Sequence, residues 1–390
     1  MNIRSVTCFL NAGQPEDTTS VQAAGELAQR ARDALESSGF GVQSTRLATQ
    51  PLSRLPGDPL RLAGALWQHA SCAGFDYLCL GPVLADSPDA SLSKIDLIPD
   101  LLRSTEMAFA TVLVAGTGRG IHLAAIQRVA RIIREIAHTT DLGFGNLRLA
   151  MLANVPPHSP FFPAAYHDGG APALGIATDS ADLAVEAFGG ATSLEEARTR
   201  LVVAIEEAAN QISLAIQPLA DRYGYRFTGI DFSPAPFPEE LRSIGAAIER
   251  LGVSAFGASG TLFAASLLTD ALRRAKFARC GFSGLMLPVL EDMTLAERSH
   301  EGLFTINDLL LYSAVCGTGL DTVPLPGDVN GNELAGILLD VAALAVRLDK
   351  PLTARLMPVP GARAGDITTF DFPYFVNGRV LQVKGIGSLA

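Results

Sequence analysis

Short continuous apolar runs alternate with stretches of helical hydrophobic spacing along the first half of the chain. Residues 107–114 are continuously apolar, which is typical of a strand buried on both faces of a parallel sheet. In the stretch that follows, Val129, Ile132, Ile133 and Ile136 lie on one stripe of a predicted helix. The chain therefore begins as strand, helix, strand, helix, and this order favours an α/β fold.

The same alternation continues to the end of the chain. The pattern predicts a long helix over 193–223 and strands over 227–232, 284–289 and 352–357. No internal repeat, low-complexity tract or linker interrupts it. We therefore predict one large domain over residues 1–390, a size that α/β barrels reach.

Composition excludes several classes of protein. Of the 390 residues, 48% are hydrophobic and 18% are charged, so a disordered chain is excluded. The net charge of -10 argues against nucleic acid or an anionic membrane as a partner. The apolar runs are too short to span a bilayer, and the N-terminal one is too short for a signal peptide. Five scattered cysteines without a CxxC pair indicate reduced thiols, so we expect a cytoplasmic protein.

A segment rich in proline and aromatic residues, residues 154–170, predicts a long structured loop, and loops of this length tend to be functional. We expect Asn154 to hold a substrate, with Phe161, Phe162 and Tyr166 forming an aromatic wall.

The same loop contains two histidines, His158 and His167. For His167, contact with a ligand or catalysis and a purely structural role both remain open. No closely spaced ligand set such as HExxH occurs in the chain, so no metal site is predicted.

Three carboxylates, Asp231, Asp321 and Asp366, lie at strand edges or in turns beside strands. Ligand sites in α/β folds collect at the carboxyl ends of strands, and two such groups can share general acid and base work. The alternative for each of them is turn capping. We expect at least one of the three to be functional.

Two Gly-containing turns carry further candidates. Cys316 follows a predicted helix and is flanked by glycines, so it is either a reactive thiol or an inert buried one. Ser259 and Thr261 open another helix and would either bind an anion or serve as its N-terminal cap. The GTGRG sequence at 116–120 lacks the residues of a dinucleotide or phosphate loop, so we expect a tight turn and no cofactor.

Several blocks of the sequence are similar to those of a known family. The sequences IDFSPAPFP at 230–238, GFSGLMLPVLED at 281–292 and CGTGLDTVPLPGD at 316–328 resemble signatures of DUF711, also called UPF0210, a family without an assigned function. Residues 153–167 are similar to the AN…PF…H loop of that family.

This resemblance implies a fold. Family members look like the ten-stranded α/β barrel of the pyruvate formate-lyase type, with two parallel half-sheets of five strands, and a homodimer is expected. Cys316 would be the analogue of the cysteine at the centre of such barrels. Arg379 and Val380 match the start of the glycyl radical motif, but Gln382 stands where the motif requires glycine. We therefore exclude a glycyl radical mechanism.

The first functional hypothesis is a cytosolic enzyme that acts on a small polar metabolite in the barrel mouth. Asp231 and Asp321 would perform general acid/base hydrolysis of a glycosidic or C–N bond, or lyase chemistry. His167, Asn154 and Arg355 would hold the substrate.

Two alternatives stay open. One is a binding or regulatory protein without catalysis, which carboxylates paired entirely with Arg or backbone N–H groups would favour. The other is a thiol enzyme using Cys316, which rapid and selective alkylation near neutral pH would support.

Overall fold

A computed structural model of the chain describes residues 1–12, 18–55, 57–87, 90–105 and 107–384. In those residues the protein is a mixed α/β structure, which confirms the predicted class. Its strands are β1 Asn2–Phe9, β2 Thr45–Ala48, β3 Tyr77–Leu84, β4 Ala108–Gly116, β5 Gly120–Ile121, β6 Leu149–Ala153, β7 Ala173–Asp179, β8 Arg226–Asp231, β9 Gly319–Pro326 and β10 Leu352–Val359. Its α-helices are α1 Thr19–Ser37, α2 Pro59–Cys72, α3 Ile98–Ser104, α4 Leu123–Thr139, α5 Ala181–Gly189, α6 Leu194–Tyr223, α7 Ile244–Arg250, α8 Thr261–Arg274, α9 Met293–His300, α10 Ile306–Ser313 and α11 Gly331–Leu348.

These ten strands form one mixed sheet. Its order is β8-β7-β1-β2-β3-β4-β6-β10-β9, and β5 pairs with β4 outside this row. Neighbours from β1 to β6 in the row are parallel, as are β7 with β8 and β9 with β10. The pairs β1–β7 and β6–β10 are antiparallel. The sheet therefore consists of parallel groups that meet at two antiparallel junctions.

Between β8 and β9 no ladder closes the sheet within the described residues. Residues 278–290, here called the bridging segment, lie in this gap. Its first residue, Ala278, accepts a hydrogen bond from the N–H of Ile230 in β8 (2.8 Å), and Val289 near its end donates to the carbonyl of Asp321 in β9 (3.2 Å).

The strand predicted over 284–289 is absent, and an isolated bridge, Pro288–Asp321, is formed there instead. Side chains at and just after the end of β8 take the N–H groups around its predicted start: Asp231 accepts from Phe282 and Ser283, and Ser233 accepts from Gly284. An N–H group that is bonded to a side chain cannot also take part in a strand ladder.

Local sequence explains the helices that cover the sheet. In α4 the predicted stripe of Val129, Ile132, Ile133 and Ile136 is buried, and the helix packs against α11. At the start of α6, Ser193 accepts from the N–H of Glu196 and caps the predicted helix. No helix among the described residues has the length and apolar character needed to cross a membrane.

Residues 154–172, here called the inner loop, connect β6 to β7 and are largely buried. Every residue from 158 to 167 is buried. The hydroxyls of Ser5 and Thr7 in β1 donate to the carbonyl of Pro160 (3.1 and 3.0 Å). The loop is structured, as its composition predicts, and it packs against the sheet rather than lying over the protein surface.

Candidate functional site

A cavity of about 670 Å³ lies against the sheet. The parallel strands contribute side chains from their first residues, including Arg4 of β1, Arg46 of β2 and Tyr77 of β3. Asp321 and Arg355 enter from β9 and β10, which run in the opposite direction because of the β6–β10 junction. Distant parts of the chain thus converge on one space.

Aromatic side chains form much of the cavity wall. Phe162 of the inner loop packs edge-on against Phe109 (ring centroids 5.4 Å apart), which in turn packs against Tyr77 (5.6 Å). The C-terminal segment after β10 adds three more rings. The aromatic residues that line the cavity are Tyr77, Phe109, Phe144, Phe161, Phe162, Phe282, Phe370, Phe372 and Tyr374.

A chain of ion pairs crosses the polar side of this cavity. The Nε of Arg355 donates to Oδ1 of Asp321 (2.6 Å), and its Nη2 donates to Oε1 of Glu291 (2.7 Å). Arg4 donates to the other oxygen of Glu291. Within the described residues, Oδ2 of Asp321 accepts no hydrogen bond from the protein. It is therefore available to a ligand.

The pKa values of the two carboxyl groups in these ion pairs are displaced in opposite directions. Burial raises the pKa of Asp321, and Arg355 only partly opposes this effect. Burial acts on Glu291 as well, but Arg355 and Arg4 together hold its pKa below the usual range. Asp321 therefore holds its proton more readily than an ordinary aspartate, whereas Glu291 loses its proton more readily than an ordinary glutamate.

Comparison with known proteins identifies the family. The model for the family described as "Uncharacterised ACR (DUF711)" matches residues 1–371. The chain belongs to the DUF711 family. A UPF0210 protein of Pyrobaculum arsenaticum is 35% identical to it over 98% of this chain and 90% of its own length. Those of Methanopyrus kandleri and Leuconostoc mesenteroides are 31% and 26% identical, over 94% and 95% of this chain and 88% of their own lengths in both cases. The resemblance seen in the motifs is confirmed, and these names state no activity.

Four residues predicted from the sequence of this DUF711 protein line the cavity, namely Phe161, Phe162, Asp321 and Arg355. Cys316 does not line it, since its side chain is buried and only 1% of the residue is exposed. In the Gly-containing turn that carries Cys316, Thr318 lines the cavity instead.

Asp231 lies away from the cavity and is fully buried. Its carboxylate accepts hydrogen bonds from the N–H groups of Phe282 (2.7 Å) and Ser283 (2.8 Å) and from the hydroxyl of Ser233 (2.7 Å). Burial raises its pKa to about 6. These contacts attach β8 to the bridging segment, which gives Asp231 a structural role.

Two further predicted binding residues make contacts within the fold. Asn154 donates to the carbonyl of Ala345 (2.7 Å) at the end of α11, and its own φ is 55°. The hydroxyl of Tyr166 donates to the carbonyl of Val155 (2.8 Å). Neither side chain lines the cavity.

The Gly-rich turn before α8 also lies outside the cavity. Thr261 is buried, accepts from the N–H of Gly257 (3.0 Å) and donates to the carbonyl of Ala258 (2.8 Å), whereas Ser259 is exposed. These bonds shape the turn. Asp366 is exposed and accepts from the N–H of Arg363 (2.7 Å), the turn-capping contact.

At the base of the inner loop, His167 is fully buried. The N–H of Gly169 donates to its Nδ1 (3.0 Å), which leaves Nε2 to donate to the carbonyl of Ala171 (3.0 Å). Both ring nitrogens are therefore bonded within the loop.

The ligand atoms of His158, His167 and Asp168 lie within 4.8 Å of one another. Arg226 is beside them, with its Nη2 3.3 Å from His158 and 3.9 Å from Asp168. A guanidinium so close opposes binding of a metal cation.

Sequence reasoning missed Glu291, Arg4 and Arg46 as site residues. Glu291 follows the bridging segment, and a carboxylate at the end of a predicted strand was the available signal. Arg4 and Arg46 lie within strands. Nothing in their local sequence indicates that they face a cavity.

The pH dependence of stability tests the burial of His158 in the inner loop. Burial holds its pKa at about 4, below the ordinary value of 6.5. Between these values the unfolded chain binds a proton that the folded chain does not, so this residue costs stability as pH falls from about 6.5 to about 4. We expect His158→Asn to lose less unfolding free energy than the wild type on acidification, measured by urea denaturation. The exposed His138→Asn is the matched control, and an equal pH slope in both variants would contradict this assignment.

Proposed function

We propose that this DUF711 protein is a cytoplasmic enzyme that acts on a small metabolite in the 670 Å³ cavity by general acid/base catalysis. Asp321 is the group that transfers the proton. The reaction class is hydrolysis of a glycosidic or C–N bond, or an elimination of the lyase type. One observation carries the proposal: Asp321 and Glu291 share Arg355 at the cavity wall, yet their pKa values are displaced in opposite directions.

Opposite displacement of neighbouring carboxyl groups is how an active site obtains an acid and a permanent base or anion at one pH. One oxygen of Asp321 accepts no hydrogen bond from any described residue, so it can reach a substrate. Glu291 stays ionised between Arg355 and Arg4 and fixes the position of the Arg355 guanidinium. Arg355, which bonds to Asp321, is therefore itself held in place by Glu291.

The cavity supports a small substrate. Its volume falls within the roughly 300–1,000 Å³ that is typical of sites for small molecules. Aromatic walls with a few convergent polar groups are the composition expected for a metabolite with a ring or another apolar part. Five cysteines without a disulfide agree with a reducing compartment.

The sheet topology supports the barrel of the pyruvate formate-lyase type. Strands β1, β2, β3, β4 and β6 form one parallel group of five. In a second group β7, β8, β9 and β10 leave one position vacant, and the bridging segment lies there with parallel bridges Ile230–Arg279 and Pro288–Asp321. We propose that this segment closes a ten-membered barrel forming one domain. A homodimer, which the family resemblance implies, is part of the same proposal.

A non-catalytic binding protein is the second candidate. It is favoured by the pairing of both carboxylates in the cavity wall with arginine, since ion-paired groups are often structural. The placement of Cys316 gives thiol chemistry no comparable support, because its side chain does not line the cavity.

Replacement of Asp321 tests the enzyme proposal. A screen of glycosides, amides and small carbon acids should reveal a turnover activity of the wild type. We expect Asp321→Asn to lower kcat about 100-fold or more, because the proton-transferring group is lost, with a smaller effect on KM. The wild-type rate should show an inflection above the ordinary range of aspartate, since the pKa of Asp321 is raised.

Asp371→Asn is the matched control, because Asp371 also lines the cavity but is exposed. Its turnover should stay close to that of the wild type. Wild-type turnover in Asp321→Asn, or an equal loss in Asp371→Asn, would refute the role of Asp321. Ligand binding without any turnover in the wild type would favour the binding protein.

A further inference from the structure

Arg46 is a buried cation in the wall of the same cavity. It lies in β2, and only 6% of the residue is exposed. Its Nε donates to the hydroxyl of Ser44 (2.9 Å). The guanidinium carbon lies 5.1 Å from the ring centroid of Phe162 and 5.6 Å from that of Tyr77. These rings hold the guanidinium in place without neutralising it.

The two terminal nitrogens of Arg46 donate no hydrogen bond to any described residue. No carboxylate forms an ion pair with it in that part of the chain. Burial and then Arg4 lower its pKa to about 9, and Tyr77, Glu291 and Asp76 only partly oppose this effect, so the group stays charged at neutral pH. A buried charge without a partner is costly, and proteins rarely keep one unless something else pairs with it.

The arginines and carboxylates of the ion-pair chain in the cavity wall are matched to one another. Arg355 bonds to Asp321 and Glu291, and Arg4 bonds to Glu291. With both carboxyl groups ionised, these two arginines and two carboxylates balance one another in formal charge. Arg46 is therefore a buried positive charge of the cavity wall that has no ion-pair partner among the described residues.

We infer that the ligand of this cavity is a small carboxylate, bound through its two oxygens by the terminal nitrogens of Arg46, with a flat apolar part against Phe109 and Phe162. This inference rests on the proposed function for the choice of site and names the class of its substrate. A planar guanidinium matches a carboxylate with two parallel hydrogen bonds. A single uncompensated charge fits a monoanionic carboxylate better than a dianionic phosphate.

Gln43 adds a second polar contact to this picture. It lines the same cavity, and its Oε1 is buried without a hydrogen-bond partner among the described residues. A buried acceptor left in this way costs free energy that a ligand donor recovers. The ligand is therefore expected to carry an O–H or N–H group in addition to its carboxylate.

Matched probes test the carboxylate assignment on the full chain. Phenylacetate, 3-phenylpropionate and indole-3-acetate are compared with their own carboxamides by isothermal titration calorimetry. We expect at least one carboxylate to bind about tenfold more tightly than its amide or better, because charge-assisted hydrogen bonds discriminate by this amount. No preference of this size in any pair would overturn the inference.

Variants of Arg46 test whether this residue causes the preference for a carboxylate over its carboxamide. Arg46→Met is expected to weaken carboxylate binding by about 10- to 100-fold and to leave amide binding unchanged. Arg46→Lys keeps the charge and loses the planar pair of donors, so it should give a smaller loss, and it serves if Arg46→Met does not fold. Unchanged carboxylate binding in the folded Arg46 variant would overturn the inference.

Asp321→Asn separates this inference from the proposed function. It leaves Arg46 in place, so carboxylate binding should persist while turnover is lost. If Asp321→Asn keeps both binding and turnover, the catalytic role fails and the carboxylate site stands. If it abolishes carboxylate binding while Arg46→Met does not, the anion lies elsewhere and the inference fails.

Discussion

Arg355→Met is expected to lower the free energy of unfolding by about 3–5 kcal/mol at neutral pH. Arg355 is the shared partner of the partly buried Asp321 (2.6 Å) and the buried Glu291 (2.7 Å). Removing it leaves two negative charges close together in a site of low polarity. An uncompensated buried charge costs far more than the intact pair contributes, so this substitution should affect stability more than loss of an exposed ion pair.

The sign of the pH dependence should change in the same variant. In the wild type the lowered pKa of Glu291 stabilises the fold above its ordinary value of 4.5, and this contribution is lost as pH falls through the folded pKa. Without Arg355, burial dominates and the folded pKa values of both carboxyl groups rise. The variant should therefore lose stability as pH increases from about 5 to about 7, in urea denaturation followed at several pH values.

Two comparisons make this prediction specific. Arg4→Met removes one contact with Glu291 from a residue that is 13% exposed at its side chain, so its effect should be smaller. A triple variant that adds Glu291→Gln and Asp321→Asn to Arg355→Met removes the stranded charges and should recover much of the loss. If the triple variant is as unstable as the single one, charge is not the cause.

Local pattern was enough to predict the parts of the fold that depend on nearby residues. The stripe of α4 is set by residues three or four positions apart and is buried, and the predicted long helix, α6, is also present. The bridging segment differs because its N–H groups bond to Asp231 and Ser233, about 50 positions earlier in the chain. Strand propensity depends on nearby residues, so it does not predict hydrogen bonds to side chains that lie so far away in the sequence.

Local sequence likewise does not distinguish the two predicted catalytic aspartates, Asp231 and Asp321. Asp231 and Asp321 both occur at strand positions, but Asp231 is enclosed by the backbone of residues 281–283, whereas Asp321 faces Arg355 and the cavity. Which environment an aspartate receives depends on the neighbouring strand. That neighbour is assigned only once the sheet is assembled.

The inner loop shows how a functional prediction can hold for one part of a segment. Its middle residues Phe161 and Phe162 line the cavity, while Asn154 and His167 near its ends are bonded to backbone groups. Composition marked the whole loop as unusual. Only the path of the loop along the sheet decides which of its side chains reach the cavity.

Arg46 was missed for a related reason. All four residues of β2 are buried, so its sequence carries no alternation that would distinguish an inward face. A lone arginine in a short buried strand is compatible with a surface ion pair or with a cavity. That Arg46 has no ion-pair partner in the described part of the chain is seen only when the surrounding residues are in place.

Asp231→Ala is expected to lower the free energy of unfolding by about 3 kcal/mol, because it removes the acceptor for several partly buried donors at once. Gly281 allows this arrangement, since its φ is 60° and a Cβ there would overlap the Asp231 carboxylate. Gly281→Ala should therefore also destabilise the protein. Asp231→Asn keeps one oxygen but places an amide N–H₂ against a backbone N–H, so its loss should be intermediate at pH 7.

The pH dependence of these variants follows from the raised pKa of Asp231. The folded chain binds this proton more tightly than the unfolded chain between pH 3.8 and about 6, so the contribution of Asp231 is largest at low pH and declines as pH rises through about 6. The penalty of Asp231→Asn should accordingly be larger at pH 4 than at pH 7, measured by chemical denaturation. Asp366→Asn, at an exposed turn, is the matched control. If Asp231→Asn keeps wild-type stability but loses turnover, Asp231 is catalytic and its contacts with the bridging segment are secondary. Replacement of a structural acceptor must instead weaken the fold.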